Sequence, residues 1–171
     1  NPDKNYYKRV VTGAVRGVDY IASLSQWDGK TIGVTGASQG GFLSLAVAAL
    51  DKRITFLGVV HDAMCDYSAE VHGVAGGWPH YFYKNTDKSL KVKVDASMYY
   101  DGVNFARRIN VPGWYSFGYN DEVVPPTSSY GLYNIVTAPK KLSVYQQTGH
   151  YWYQEQWDEW QNYIKEHLNV K

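Results

Sequence analysis

The stretch that decides the fold is "TIGVTGASQGGFLSLAVAAL", Thr31 to Leu50, in which an apolar run meets a serine set among glycines and then runs on apolar. Thr31 to Thr35 alternates and is rich in β-branched residues, as a buried strand should be. Gly41 to Leu50 follows without a proline or a charge and is long enough for a buried helix. Between them, Gly36-Ala37-Ser38-Gln39-Gly40 fits G-x-S-x-G, a sharp strand-to-helix turn where small neighbours let a strained backbone close around the serine. A hydroxyl is a poor nucleophile at its own pKa, so exposing its oxygen is useful only with a base beside it. The same pentapeptide also serves as a plain tight turn with a serine chosen for its size, so partners have to be sought elsewhere in the chain.

Working outward, Tyr7, Val10, Val11, Ala14, Val18, Ile21 and Ala22 recur at three- and four-residue steps, and residues 5 to 25 read as a helix with one apolar stripe. Gly13 and Gly17 each weaken such a helix by about 1 kcal/mol relative to Ala, which implies close packing against a neighbour. Beyond the elbow, "ITFLGVV" reads as a second strand ending near Val60. Residues 61 to 90, with mixed periodicity and Gly and Pro punctuation, read as an excursion of loops and short helices above the sheet. "DASMYYDGVNFARRIN" is helical in pattern, and Val111-Pro112 ends it and introduces a third strand, about Gly113 to Phe117. "KLSVYQQ" is a fourth strand, and Tyr153, Trp157, Trp160, Ile164 and Leu168 mark a closing helix. Strands alternating with helices imply an α/β fold with a doubly wound, mostly parallel sheet, and residues 1–171 read as one domain.

With 17 basic and 16 acidic side chains in 171 residues, the chain has no basic stripe or charge block. Nucleic acid and anionic membrane are therefore not the expected partners. No apolar run reaches the roughly 18 residues of a membrane span. Cys65 is the only cysteine, which excludes an internal disulfide and a zinc site built from cysteines. A charge fraction of 19% with many Tyr, Asn and Gln suits a periplasmic or secreted protein, with the cytoplasm as the alternative. The 16 Tyr and 6 Trp suit either core filling or stacking on sugar rings.

In an open parallel sheet, ligands sit beyond the carboxyl ends of the strands, so those ends carry the chemistry. The first ends at Ser38, the third in "SFGYNDEVVPP" with Asp121, and the fourth in "QQTGHYW" with His150. Ser, Asp and His in that order, each on its own strand-end loop, is the arrangement of the α/β-hydrolases. His150 would take the Ser38 proton as base, Asp121 would hold the other ring nitrogen, and the backbone N–H of Gln39 would supply an oxyanion donor. Glu122, Asp62 and Asp66 are alternative acids. His61, His72 and His80 lie in the excursion, where a solvated or core-satisfied histidine is the default. A metal site from His61, Asp62, Asp66 and His72 has no recognised ligand spacing, and no metal is expected. Trp157 and Trp160 fall on the closing helix's apolar stripe as core; Trp78 and Trp152 are placed for a substrate wall.

"YYKRVVTGAVRGVDYIASL", "IGVTGASQGGFLSLAVAALDKRI", "YYDGVNFARRINVPGWYSFGYNDEVVPP" and "TGH" together resemble the acetyl xylan esterase and cephalosporin C deacetylase family of α/β-hydrolases. By its motifs, Ser38 in "GASQGG" matches the nucleophile, Asp121 in "YNDEVVPP" the acid and His150 in "TGH" the base. The resemblance implies deacetylation of xylose-based oligosaccharides and similar small esters, without a cofactor. Two features depart from it: Tyr151 stands where the family carries an acidic residue after the last histidine, and "VVHDAMCDYSAEVHGVAGGWPH" differs from its best-known members. A feruloyl esterase or serine peptidase with the same triad, and a non-catalytic carbohydrate-binding module, are the alternatives. The fold carries several strands ahead of the elbow strand, and the loop after the third supplies the second oxyanion donor. With four strands counted, the expectation is the C-terminal part of a longer catalytic domain, weakly active or inactive alone. An N-terminal companion segment or a second copy would cover the first strand's edge.

Overall fold

Parallel pairing needs a crossover of a dozen or more residues between strands, and the helical runs between the strands of this chain supply it. The computed structural model describes residues 2–84 and 89–170, so Asn85 to Lys88 of the excursion lie outside the described residues. In chain order the elements are α1 (Tyr6–Ser23), β1 (Gly33–Ala37), α2 (Gln39–Leu50), β2 (Phe56–Val60), α3 (Leu90–Ser97), α4 (Gly102–Ala106), β3 (Gly113–Gly118), α5 (Pro126–Ile135), β4 (Lys140–Tyr145) and α6 (Gln154–Leu168). The strands form one sheet in the order β1-β2-β3-β4, every pair parallel. One register line runs Ala37, Val60, Ser116, Ser143, so the carboxyl ends stand nearly level across the sheet. No helix among the described residues is long and apolar enough to cross a membrane.

Period-2 alternation sends the two faces of the sheet to different helices. On β2, Leu57 and Val59 enter the core shared with Val11, Phe42, Leu45 and Tyr115. Phe56 turns the other way to meet Tyr163 and His167 of α6, and Gly58 lies against Trp160. The Trp160 indole N–H donates to the Thr35 hydroxyl at 3.1 Å, fastening α6 across β1 and β2. Helices α2 and α6 thus cover opposite faces, as the doubly wound reading requires.

Two expectations change, and one helix is new. The elbow strand runs Gly33–Ala37 rather than 31–35, although the Thr55 N–H still reaches the Ile32 carbonyl at 2.9 Å. The helix expected over 95–110 is broken at Asp101, whose buried carboxylate accepts from the Val103 N–H and caps α4. The same carboxylate accepts from the Asp66 and Tyr67 N–H groups, at 3.0 and 2.8 Å, so it also ties the excursion to α4. Helix α5 had no apolar stripe to announce it: Leu132 is deeply buried, but the neighbouring buried positions are Ser128 and Ser129.

The packing expected of Gly13 and Gly17 is also absent, since a Cβ on either would meet nothing within 4 Å. Both therefore weaken α1 without a steric return. Gly13→Ala and Gly17→Ala are each expected to raise stability by about 1 kcal/mol, seen as a higher thermal midpoint. A lower midpoint would show that a neighbour occupies that face.

Candidate active site

The elbow exists because β1 passes into α2 with no loop between them. Ser38 takes φ 55° and ψ −121°, a left-handed conformation that costs a non-glycine residue about 1–3 kcal/mol and persists only where neighbours enforce it. Here the Ser38 N–H donates to the Val60 carbonyl at 2.8 Å, and the Ala63 N–H donates to the Ser38 carbonyl at 3.2 Å. Gly36 is required because a Cβ there would overlap the backbone of Gly40. Gln39 opens α2, where first-turn N–H groups have no acceptor within the helix. Its side-chain amide donates to the Tyr7 hydroxyl at 2.8 Å, bracing the elbow against α1.

The loops after β3 and β4 bring the other two residues in. A Cβ on Gly118 would overlap Thr148, so glycine lets the two loops touch. The Tyr119 and Asn120 N–H groups then donate to the Tyr145 and Thr148 carbonyls, both at 2.9 Å. This lays His150 between Asp121 and Ser38, with Nδ1 2.7 Å from Asp121 Oδ2 and Nε2 3.0 Å from Ser38 Oγ. A carboxylate only accepts, so Nδ1 carries the proton and Nε2 is left to accept from the serine hydroxyl. The side chain of Asp121 has no solvent exposure. Burial alone would raise its pKa, but the His150 and His61 contacts and the Val124 N–H outweigh burial and hold the carboxyl well below the usual range. Its other oxygen, Oδ1, accepts from the Val123 and Val124 N–H groups at 2.9 and 2.8 Å.

His61, expected as an ordinary excursion histidine, is the first residue after β2, 2% exposed, with Nδ1 3.3 Å from Asp121 Oδ2 and its ring centroid 5.2 Å from that of His150. The signal was available: the strand-end rule that selects Ser38, Asp121 and His150 applies equally to the residue after "FLGVV". His80, also in the excursion, lies between Glu70 at 2.8 Å and the Val123 carbonyl at 3.1 Å, tying the excursion to the Asp121 loop. His72 is exposed.

Of the alternative acids, Glu122 is exposed, the Asp66 carboxylate meets the Ser68 hydroxyl, and Asp62 is buried. Among the described residues, His61, Asp121 and His150 form the one histidine and carboxylate group close enough to chelate an ion, their ligand atoms lying within 4.8 Å of one another. Asp62, Asp66 and His72 are not in that group. Trp78 packs partly buried against the core, and Trp152 packs edge-on against Trp157 and Trp160. Trp157, expected as core, remains 39% exposed.

Burial raises the Asp62 carboxyl to about 6. A folded-state pKa raised above the ordinary 3.8 contributes stability that is complete below that value and is lost as pH rises through about 6. Asp62→Asn, neutral throughout, is therefore expected to exceed the parent in stability at pH 8 by on the order of 2 kcal/mol, the gain shrinking towards nothing at pH 4. Urea denaturation at both pH values measures this, and an equal gain at both would contradict a burial-driven shift.

The model of the family described as acetyl xylan esterase (AXE1) matches residues 1–167. The acetyl esterase Axe7A of Xylanibacter ruminicola is 47% identical over 139 residues, covering 81% of this chain and 31% of that protein. Among solved structures, the acetyl xylan esterase from Paenibacillus sp. R4 superposes with a TM-score of 0.87 at 27% identity over 98% of this chain. Acetyl xylan esterase 1 from Thermoanaerobacterium sp. JW/SL YS485 shares the fold, with a TM-score of 0.84 at 24% identity over 97% of this chain. The chain spans 55% of each of those two structures. Matched by the family model over nearly its whole length, the chain belongs to the acetyl xylan esterase family.

Proposed function

We propose that this chain carries the reacting residues of a serine carboxylesterase that removes acetyl groups from acetylated xylo-oligosaccharides or related small esters. The observation that carries the reading is the unbroken relay from Asp121 through His150 to Ser38, with contacts of 2.7 and 3.0 Å. Family membership supports the ester as substrate, and the acetyl esterase and acetyl xylan esterases named above support the acetyl group.

The chemistry follows from the three positions. Ser38 Oγ attacks the ester carbonyl carbon as its proton passes to His150 Nε2, and the carbonyl electron pair moves onto oxygen. In this scheme the Gln39 N–H, at the start of α2, donates to that oxyanion. Collapse of the tetrahedral species breaks the bond to the sugar oxygen, which leaves with the proton from His150, and the acetyl group stays on Ser38. Water then attacks the acetyl-enzyme with the same base, releasing acetate and restoring the serine. Asp121 remains ionised throughout, orienting His150 and stabilising its imidazolium.

The test is release of acetate from acetylated xylo-oligosaccharides, set against feruloylated and peptidyl substrates. Acetate release is expected to dominate, and Ser38→Ala to lower it by on the order of 10³-fold or more. Faster feruloyl or peptide cleavage would transfer the reading to those substrates. Sugar binding unchanged in Ser38→Ala, with no turnover by the parent, would make the chain a binding module.

A further inference from the structure

His61 has no role in the relay, yet its position is as constrained as that of any relay residue. Ala37 and Val60 are register partners, and Ser38 and His61 are the residues that follow them. Both N–H groups extend the ladder by one step, Ser38 onto the Val60 carbonyl and His61 onto the Ser116 carbonyl at 2.9 Å. Both have positive φ, 47° at His61, a conformation that persists only where surroundings hold it. The ring is 2% exposed and neither nitrogen has a well-aligned hydrogen-bond partner, although Nδ1 is only 3.3 Å from Asp121 Oδ2. A buried ring nitrogen without a partner is costly, and catalytic hydrogen bonds often close only when substrate arrives. A small swing of the ring would complete this one.

Resting on the esterase reading, we propose that His61 is a positioning residue for the catalytic acid, its Nδ1–H donating to the same Asp121 oxygen that serves His150. Asp121 cannot donate, so the contact requires the proton on His61 Nδ1 and leaves Nε2 bare. With the Val123 and Val124 N–H groups on Oδ1, the carboxylate is then held from its own loop and from the ends of β2 and β4. His61 acts through Asp121 and need not touch substrate.

Two measurements test this. In ¹⁵N-histidine NMR of the parent protein, His61 is expected as the Nδ1–H tautomer; an Nε2–H tautomer would overturn the proposal whether or not the protein turns over substrate. The second uses the two amides. Asn presents its NH₂ near the place of Nδ1, whereas Gln presents it near Nε2. In hydrolysis of p-nitrophenyl acetate, His61→Asn is expected to keep kcat within about threefold of the parent, while His61→Gln loses about tenfold with KM unchanged, the scale of one hydrogen bond to a charged group. Equal kcat in the two variants, or a loss carried by KM, would overturn it. No acetyl hydrolysis by the parent, even beside an N-terminal segment that covers the β1 edge, would instead count against the esterase reading, leaving the tautomer to decide the role of His61.

Discussion

A carboxylate shut away from water has to receive its donors from the protein, and at Asp121 they come from separate parts of the sheet's carboxyl edge. Two backbone N–H groups of its own loop hold one oxygen, and His150 on the neighbouring loop holds the other. These donors hold its pKa below the usual carboxylate range, against the raising effect of burial. Everything else in the site follows from that charge. It fixes the proton on His150 Nδ1, which turns the bare Nε2 towards Ser38. If the loops after β3 and β4 separated, the His150 contacts with Asp121 and Ser38 would be lost together, and Gly118, with no side chain, sits where those loops touch.

The second constraint is backbone strain at Ser38. Its positive φ is unfavourable in isolation and is tolerated because β2 and the segment after it grip it, through the Val60 carbonyl on one side and the Ala63 N–H on the other. β2 therefore supports Ser38 directly, and Nδ1 of its next residue, His61, lies 3.3 Å from Asp121 Oδ2. The excursion that follows β2 is anchored by Asp101 at one point and by the Glu70–His80 contact at another. It is attached to the same loop that carries Asp121 through the Val123 carbonyl.

Much of this was legible in the sequence because local and global signals agreed. Four short apolar or aromatic runs with helical runs between them favour a parallel sheet, and Ser38, Asp121 and His150 each stand just past such a run. Family resemblance and geometry reach the same three residues by separate routes. What escaped reading shares a different cause: polar side chains doing buried work. Asp101 looks like a solvated helix residue until its three N–H partners are seen, and Ser128 and Ser129 hide the inner face of α5. His61 was concealed by the segment it opens, where Gly and Pro punctuation suggests loop. Gly13 and Gly17 misled in the opposite sense, since glycine in a helix signals close packing only where a neighbour arrives.

In the proposed relay, His150 makes Ser38 nucleophilic. This is tested most directly by treating the protein with a fluorophosphonate ester and locating the adduct by mass spectrometry in the parent and in a folded His150→Ala variant. The expected result is an adduct on Ser38 in the parent and its near-complete loss in the variant. An adduct on another residue, or equal labelling of Ser38 without His150, would contradict it.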